Sequence, residues 1–594
     1  MPFGNEMKKE EDVPSDKNDY HGMQKKEETS EKVSSQGERQ GVEPRSYGFW
    51  LFLLGILLLA SVLRLYALDA YPQNFNQDQM LLGYDAWSIW TTGHDHHGAF
   101  FPVFFRSFND YVPPAANYIS SPFVGILGLS EFSTRLPLAL MGIATVFFVA
   151  LLGRRWFNPP AGLLAALLLT IDPWHINYCR IAFPASSVPF FTVVALYCFT
   201  RGTSLFAMQG QRRSTALLWL AGSALSFALL TSSYPTMKLE TLLLLCACAL
   251  AILPLVWNKP SHFKWADFFI WLALYCLFVC PLAIAQFQEW NLAQLRFNSV
   301  SIFNQSHWLT LFFTQYANAY NPGALFFSGF SGGLQVLPPQ GVGELFWLEG
   351  PLWVFAVIGM SQQRHLSHQV GFVVPVLLSI WFFTFPIASS LTMGSPHEIR
   401  TYNFLPLPEI LAGYGAVVAW EMLSRYRWKW FSAAQVPLVI SASLFIIFNH
   451  LFLSFFFAPP LLQTDATAGQ IPYNIGLRPV LTTIMQQVKP CDIVWLDSTN
   501  QTYIYYLFIM RYPSNLFLST GREGNAFQNN YGSVGQVYFG SPGSQTVSLP
   551  AGCESKPSRT FFVTRTAQIF LGWQQITAVS NRDSIPIWQG FVQM

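Results

Sequence analysis

The chain has 594 residues, 52% of them hydrophobic and 16% aromatic, and only 11% charged, where a soluble globular protein carries about 25%. This excludes a soluble enzyme, and a formal net charge of +2 excludes the basic footprint of a nucleic-acid binder. The expectation is a polytopic α-helical membrane protein embedded in a lipid bilayer. Met1–Ser46 alone holds 8 Lys/Arg and 11 Asp/Glu. Residues 1–47 lack the large apolar side chains needed to bury a core and read as a disordered cytoplasmic tail. So charged a segment is not the n-region of a signal peptide.

A spanning helix needs about 20 mainly apolar residues. Such runs fall near 49–67, 135–152, 160–172, 185–200, 215–232, 239–257, 268–286, 345–360, 370–391, 403–420 and 434–456, about eleven transmembrane helices, the third being short. Basic residues of short loops mark the cytoplasmic side. With the tail inside, Arg154, Arg155, Arg201, Arg212, Arg213, Lys259, Lys264, Arg364, Arg425, Arg427 and Lys429 all lie inside, against Asp267 and Glu421. The opposite face carries Asp69, Asp78, Asp85, Asp95, Asp110 and Glu131 before the second span, with Arg106 as the counter-charge. The N-terminus is therefore expected in the cytoplasm and the C-terminus outside it.

The expected organisation is a membrane domain over 48–456, with long external loops at 68–134 and 287–344, followed by an extracytoplasmic domain over 457–594. In the latter, a helical pattern at Val480–Val488 precedes strand-like runs at Asp492–Asp497, Gln536–Phe539 and Thr560–Thr564, which suggests a small α/β fold. Cys179, Cys198, Cys246, Cys248, Cys276 and Cys280 lie in or beside spans and read as small apolar residues. Cys491 and Cys553 stand alone in the C-terminal segment and are candidates for a disulfide outside the cytoplasm.

The first external loop holds the candidate chemistry. Asp78 lies about ten residues after the first span, between Gln77 and Gln79, and opens an amphipathic stretch. Asp110 precedes Pro113-Pro114, which fixes an extended backbone. Two held carboxylates at headgroup level can supply a general base and an electrostatic partner. His94, Asp95, His96 and His97 are metal-ligand types, but adjacent residues rarely converge on one ion. A solvated turn after Gly93 is the plainer expectation. No cofactor is implied, and a divalent metal stays open.

Cationic and polar groups recur at the same level: His175 and Arg180 between spans three and four, Tyr234 and Lys238 between five and six, Arg296 after seven, and His397 with Arg400 after nine. A terminal Lys or Arg often only snorkels. As a set on the face that the positive-inside bias depletes, they suit a phosphate or pyrophosphate at the bilayer surface. Tyr84, Trp87 and Trp174 offer faces for sugar stacking, although aromatics at this depth commonly anchor the interface.

These residues resemble the integral-membrane C-type (GT-C) glycosyltransferases, specifically family 39, whose bacterial members are akin to protein O-mannosyltransferases and aminoarabinose lipid A transferases. The resemblance rests on Gly83-Tyr84-Asp85-Ala86, Asp110-Tyr-Val-Pro-Pro-Ala-Ala-Asn-Tyr118, Leu129-Ser-Glu-Phe-Ser-Thr-Arg-Leu-Pro137, Pro173-Trp-His175, Arg180-Ile-Ala-Phe183, Arg296 to Phe303 and Pro396-His-Glu-Ile-Arg400. It implies a polyprenyl-phosphate-linked sugar as donor and inverting transfer to an acceptor outside the cytoplasm, whether protein, lipid or glycan. It also implies that Asp78 is the general base and Asp110 the acidic residue before the Pro-Pro pair. Lys238, Arg296, His397 and Arg400 then meet the leaving phosphate, and Tyr84, His175, Arg180 and Tyr234 contact substrate. The family's usual Asp-Glu pair is Asp78-Gln79 here. The expected location is the plasma membrane. The competing readings are a transporter or flippase of lipid-linked sugars, which would place charge at mid-bilayer, and a non-catalytic scaffold.

Overall fold

The computed structural model describes residues 47–72, 75–107, 110–206, 212–257, 263–288, 297–330, 343–366, 373–425, 476–497, 501–520 and most of 524–593. All packing described below lies within Phe52–Met594.

The protein is mostly helical. Among the described residues, six helices are long and apolar enough to cross a membrane: Tyr47–Leu65, Glu131–Trp156, Pro184–Leu205, Arg213–Thr231, Trp265–Gln288 and Val373–Ser390. Helices also stand at the other expected spans, with Pro159–Ile171 and Glu349–Ser361 short and apolar and Met237–Trp257 and Leu407–Arg425 longer. The expected span at 434–456 lies outside the described residues.

Five helices and a hairpin position the site. Helix α1 (Tyr47–Leu65) leads into loop one, where α2 (Gln77–Thr92) is capped by the Asn76 side chain, which accepts from Gln79 N at 3.2 Å. Gly93 ends α2 at φ +73°, a left-handed conformation that suits glycine, with its N–H on the Ile89 carbonyl. The strands β1 (Phe105–Ser107) and β2 (Asp110–Val112) pair antiparallel, Ser107 opposite Asp110. Helix α3 (Ala115–Leu127) follows, and α4 (Glu131–Trp156) starts with a reciprocal Ser130–Ser133 capping box. The first turn of α5 (Met237–Trp257) carries Lys238.

The C-terminal segment folds around a six-stranded sheet. Its strands are β3 (Ile493–Leu496), β4 (Ser533–Val534), β5 (Val537–Phe539), β6 (Thr560–Thr564), β7 (Gln574–Ser580) and β8 (Pro586–Gln593), in the order β4-β5-β3-β6-β8-β7. Strand β3 runs parallel to β5 and β6, and the outer pairs are antiparallel. Helices α6 (Leu477–Met485), α7 (Thr502–Ile509) and α8 (Ser514–Thr520) complete it. Cys491 and Cys553 are joined in a disulfide.

One apolar core runs from this segment into loop one. Met80, Leu81, Tyr84 and Ala86 of α2 are buried with Tyr503–Ile509 of α7, with Val480, Leu481 and Ile484 of α6 and with the sheet. Phe75 lies 5.0 Å from Phe508, ring to ring. A Cβ at Gly83 would fall 2.6 Å from Thr134 Oγ1 and 2.8 Å from Phe508, so α2 is pressed between α4 and α7.

Candidate active site

A cavity of about 930 Å³ opens between loop one, the start of α5 and the 388–400 segment. Its size is at the upper end of small-molecule sites, about 300–1,000 Å³. Most of the wall is apolar, with Leu81, Leu82, Phe104, Phe105, Leu239 and Leu391, and into it are set Asp78, Asp85, Asn117, Tyr234, Lys238, Gln286 and Arg400.

Each of these has a local reason for its place. Asp78 is in the first turn of α2, where the helix dipole favours a carboxylate. Residues 77, 78, 81, 82 and 85 all line the cavity, the spacing of one helical face. Lys238 donates its ammonium to Gln286 Oε1 and sits 5.1 Å from the Phe104 ring centroid, two contacts that hold the flexible stem. Arg400 is fixed by Nη1 donating to Thr392 Oγ1 at 2.8 Å and to the Met393 carbonyl at 2.6 Å. Tyr234 packs 5.9 Å from Phe183.

The remaining expected site residues sit elsewhere. Arg180 is buried and donates to the carbonyls of Leu63, Tyr66, Ala67 and Tyr71, tying down the start of loop one. His175 is buried with Nδ1 2.7 Å from Arg64 Nη2. Burial and the Arg64 charge hold its pKa well below the ordinary value, so the neutral ring accepts from the guanidinium. Tyr84 is buried and its hydroxyl donates to the Tyr512 carbonyl at 2.8 Å, which makes it a joint to the C-terminal segment. Trp174 is buried against Phe330 and Tyr402. His397 accepts from Ile399 N at Nδ1, 3.3 Å, and its carbonyl accepts from Arg400 N and Thr401 N, so it shapes the turn that presents Arg400. Arg296 lies outside the described residues, as does the side chain of Asp110. Its neighbours Tyr111, Val112 and Pro113 line the cavity.

Asp85, Asn117, Gln286 and Gln501 were not singled out by sequence. Asp85 had a signal, being seven residues after Asp78 on the same helical face. Its Oδ1 accepts from both His96 N at 2.9 Å and His96 Nδ1 at 2.7 Å. Burial opposes a charged His96, but the Asp85 carboxylate outweighs it and raises the pKa. His96 Nε2 lies 3.4 Å from the Tyr503 hydroxyl of α7. The other three of the His94–His97 run take separate contacts: His94 Nδ1 is at the Thr92 carbonyl, Asp95 accepts from Ala99 N, and the His97 ring lies tilted 3.9 Å from that of His96. Among the described residues, no three His, Cys, Asp or Glu gather as a metal-binding group.

The chain has the fold of the GT-C membrane glycosyltransferases, as the motif resemblance implied. Residues 54–297 match the family model described as dolichyl-phosphate-mannose-protein mannosyltransferase. Among solved structures, ArnT from Cupriavidus metallidurans in the apo state is similar with a TM-score of 0.54 at 12% identity, covering 92% of this chain and 98% of that one. The same protein bound to undecaprenyl phosphate gives a TM-score of 0.48 at 13% identity, over 79% and 85% of the two chains. The oligosaccharyltransferase AglB from Archaeoglobus fulgidus, in complex with an inhibitory peptide and a dolichol-phosphate, gives 0.46 at 12% identity over 78% of this chain and 64% of its own length. No curated protein sequence matches the chain.

Proposed function

We propose that this integral membrane protein transfers a sugar from a polyprenyl-phosphate donor to an acceptor hydroxyl on the extracytoplasmic face of the plasma membrane, with inversion at the anomeric carbon. The observation that carries the reading is the meeting of the Asp78 carboxylate with two cations, Lys238 and Arg400, in one mainly apolar cavity. The lipid tail of such a donor stays in the bilayer, so the cavity has only to bind the phosphate, the sugar and the acceptor's reacting group.

In the step itself Asp78 takes the acceptor hydroxyl proton as the oxygen attacks the anomeric carbon. The carbon–oxygen bond to phosphate breaks, and the leaving polyprenyl phosphate keeps its electron pair. Lys238 and Arg400, held by Gln286 and Thr392, are preorganised for the charge that develops there. A single displacement from the opposite face inverts the centre. Asp110, which precedes the cavity-lining Tyr111 in β2, is the second carboxylate of this assignment. Arg296 is assigned to the same phosphate, and His397 acts through the turn that presents Arg400.

The extracytoplasmic placement is supported by the basic bias of the short loops and by the Cys491–Cys553 disulfide, which persists in oxidising compartments. It goes with eleven spans, an N-terminus inside, and residues 457–594 outside as an α/β domain. The test is sugar release from a pool of polyprenyl-phosphate-linked sugars by purified wild type and Asp78→Asn, each with and without a chelator. Wild type consumes one donor, and Asp78→Asn is slower by about 10²–10⁴-fold. Equal rates would remove Asp78 as the base.

A further inference from the structure

Among the described residues, four cavity-lining side chains have a buried oxygen without a hydrogen-bond partner, Asp85 Oδ2, Asn117 Oδ1, Thr236 Oγ1 and Gln501 Oε1, and the first two stand on the neighbouring helices α2 and α3. Asp85 is fully buried and Asn117 is 3% exposed. His96 brings its backbone N–H and its ring Nδ1 to Oδ1 of Asp85, which fixes the carboxylate and leaves Oδ2 for other use. A buried acceptor left with nothing to accept from is costly, and these two lie on neighbouring helices.

Helix packing places them side by side. Ser121 Oγ donates to the Ala86 carbonyl at 2.9 Å, and a Cβ at Gly125 would meet the Trp90 ring at 2.2 Å. Steps of four on both helices make α2 and α3 parallel neighbours, and the next step back sets Asn117 beside Leu82, within one turn of both Asp78 and Asp85. Asp85 lies seven residues from Asp78, about 10 Å along the axis at 1.5 Å per residue. That span takes a sugar ring and its hydroxyls with the reacting carbon at the Asp78 end. Both free groups are acceptors, so the ligand supplies donors.

We propose that Asp85 and Asn117 form the subsite for the transferred sugar, with Asp85 Oδ2 and Asn117 Oδ1 accepting hydrogen bonds from its hydroxyl or ammonium groups. This rests on the glycosyl-transfer reading above and adds to it the residues that choose the sugar. A site built to pair a substrate hydroxyl rejects the analogue lacking it.

The experiment measures binding by the full-length protein of undecaprenyl phosphate alone and of a panel of undecaprenyl-phosphate-linked hexoses and pentoses, followed by the monodeoxy and amino analogues of the sugar bound most tightly. Asp85→Ala weakens the sugar-bearing donor by about 10- to 100-fold and Asn117→Ala by about 2- to 10-fold, while both bind bare undecaprenyl phosphate as wild type does. One deoxy donor then shows no further loss in Asp85→Ala, which names the hydroxyl; tightest binding of an amino donor names an ammonium instead. Asn117 makes no side-chain hydrogen bond among the described residues, so Asn117→Ala keeps the test readable if Asp85→Ala, which strips His96 of its partner, does not fold. Equal weakening of bare and sugar-bearing lipid, or a panel in which no deoxy or amino donor couples to either residue, overturns the subsite. Selective binding with no transfer to any acceptor would instead leave the subsite standing and sink the catalytic reading. Wild type that ignores every linked sugar sinks both.

Discussion

The two faces of α2 have opposite uses. The face with Gln77, Asp78, Leu81, Leu82 and Asp85 borders the cavity, and there one oxygen of Asp85 has no partner among the described residues. The other face, with Met80, Gly83 and Tyr84, is pressed into the core shared with the C-terminal segment, and its polar group is satisfied, Tyr84 donating to Tyr512. A binding face leaves hydrogen-bond capacity for its ligand, whereas a structural face uses it within the fold. Apart from Asp85, which also holds His96, substitutions on the first face should change catalysis or selectivity with little change in stability, and those on the second should do the reverse.

The largest effect belongs to Asp78→Asn. The loss of about 10²–10⁴ in turnover should come with a change in unfolding free energy of no more than about 1 kcal/mol, the scale of a helix-dipole contribution. Thermal unfolding measured beside activity checks this. A large loss of stability would move Asp78 to the structural face.

His96 stands between the faces, bound to Asp85 on one side and facing Tyr503 on the other. Its folded pKa is raised above the ordinary value of about 6.5. The stability it contributes is therefore fully present below about pH 6.5 and is lost as pH rises through the higher folded value. Asp95, raised by burial and by Asp85, pulls the same way at lower pH. His96→Gln should cost about 1.5–3 kcal/mol at pH 6 and flatten the fall in melting temperature at higher pH. An unchanged pH profile would mean that the imidazole stays neutral.

Gly83→Leu tests the packed face directly. The added side chain has no room between Thr134 and Phe508, so it should destabilise by about 1–3 kcal/mol. Limited proteolysis should then cut the C-terminal segment sooner, while the folded fraction keeps its turnover per molecule. Selective loss of turnover in folded protein would show that the joint to α7 sets the geometry of Asp78.

Much of this was legible in the sequence. Spans declare themselves by length and hydropathy, and in the C-terminal segment the runs at Asp492–Asp497, Gln536–Phe539 and Thr560–Thr564 correspond to β3, β5 and β6. Helix α7 was missed because Thr502–Ile509 is buried on all sides and so shows no period, while its aromatic and β-branched run has strand composition. That Asp78, Lys238 and Arg400 face a common cavity could be anticipated because charge at the rim of an apolar domain is conspicuous. Arg180, His175 and Tyr84 were equally conspicuous, yet they bond to carbonyls or to Arg64 inside the fold, and nothing in one dimension separates those uses. Asn117 and Gln501 reach the cavity only through tertiary packing, from α3 and from the N-cap of α7.

The smallest effect concerns the edge of the structural face. Arg478 of α6 donates to Glu131 at the start of α4, a contact between the C-terminal segment and the membrane helices with side chains 45% and 24% exposed. An ion pair in that much water contributes about 0–1 kcal/mol and is screened by salt. Arg478→Gln should therefore lower the unfolding free energy by less than about 1 kcal/mol, with the difference shrinking as ionic strength rises. The apolar contacts of α2, α6 and α7 would then be what keeps the segment docked. A larger, salt-sensitive loss would transfer that role to charge, and docking would become dependent on the ionic strength outside the membrane.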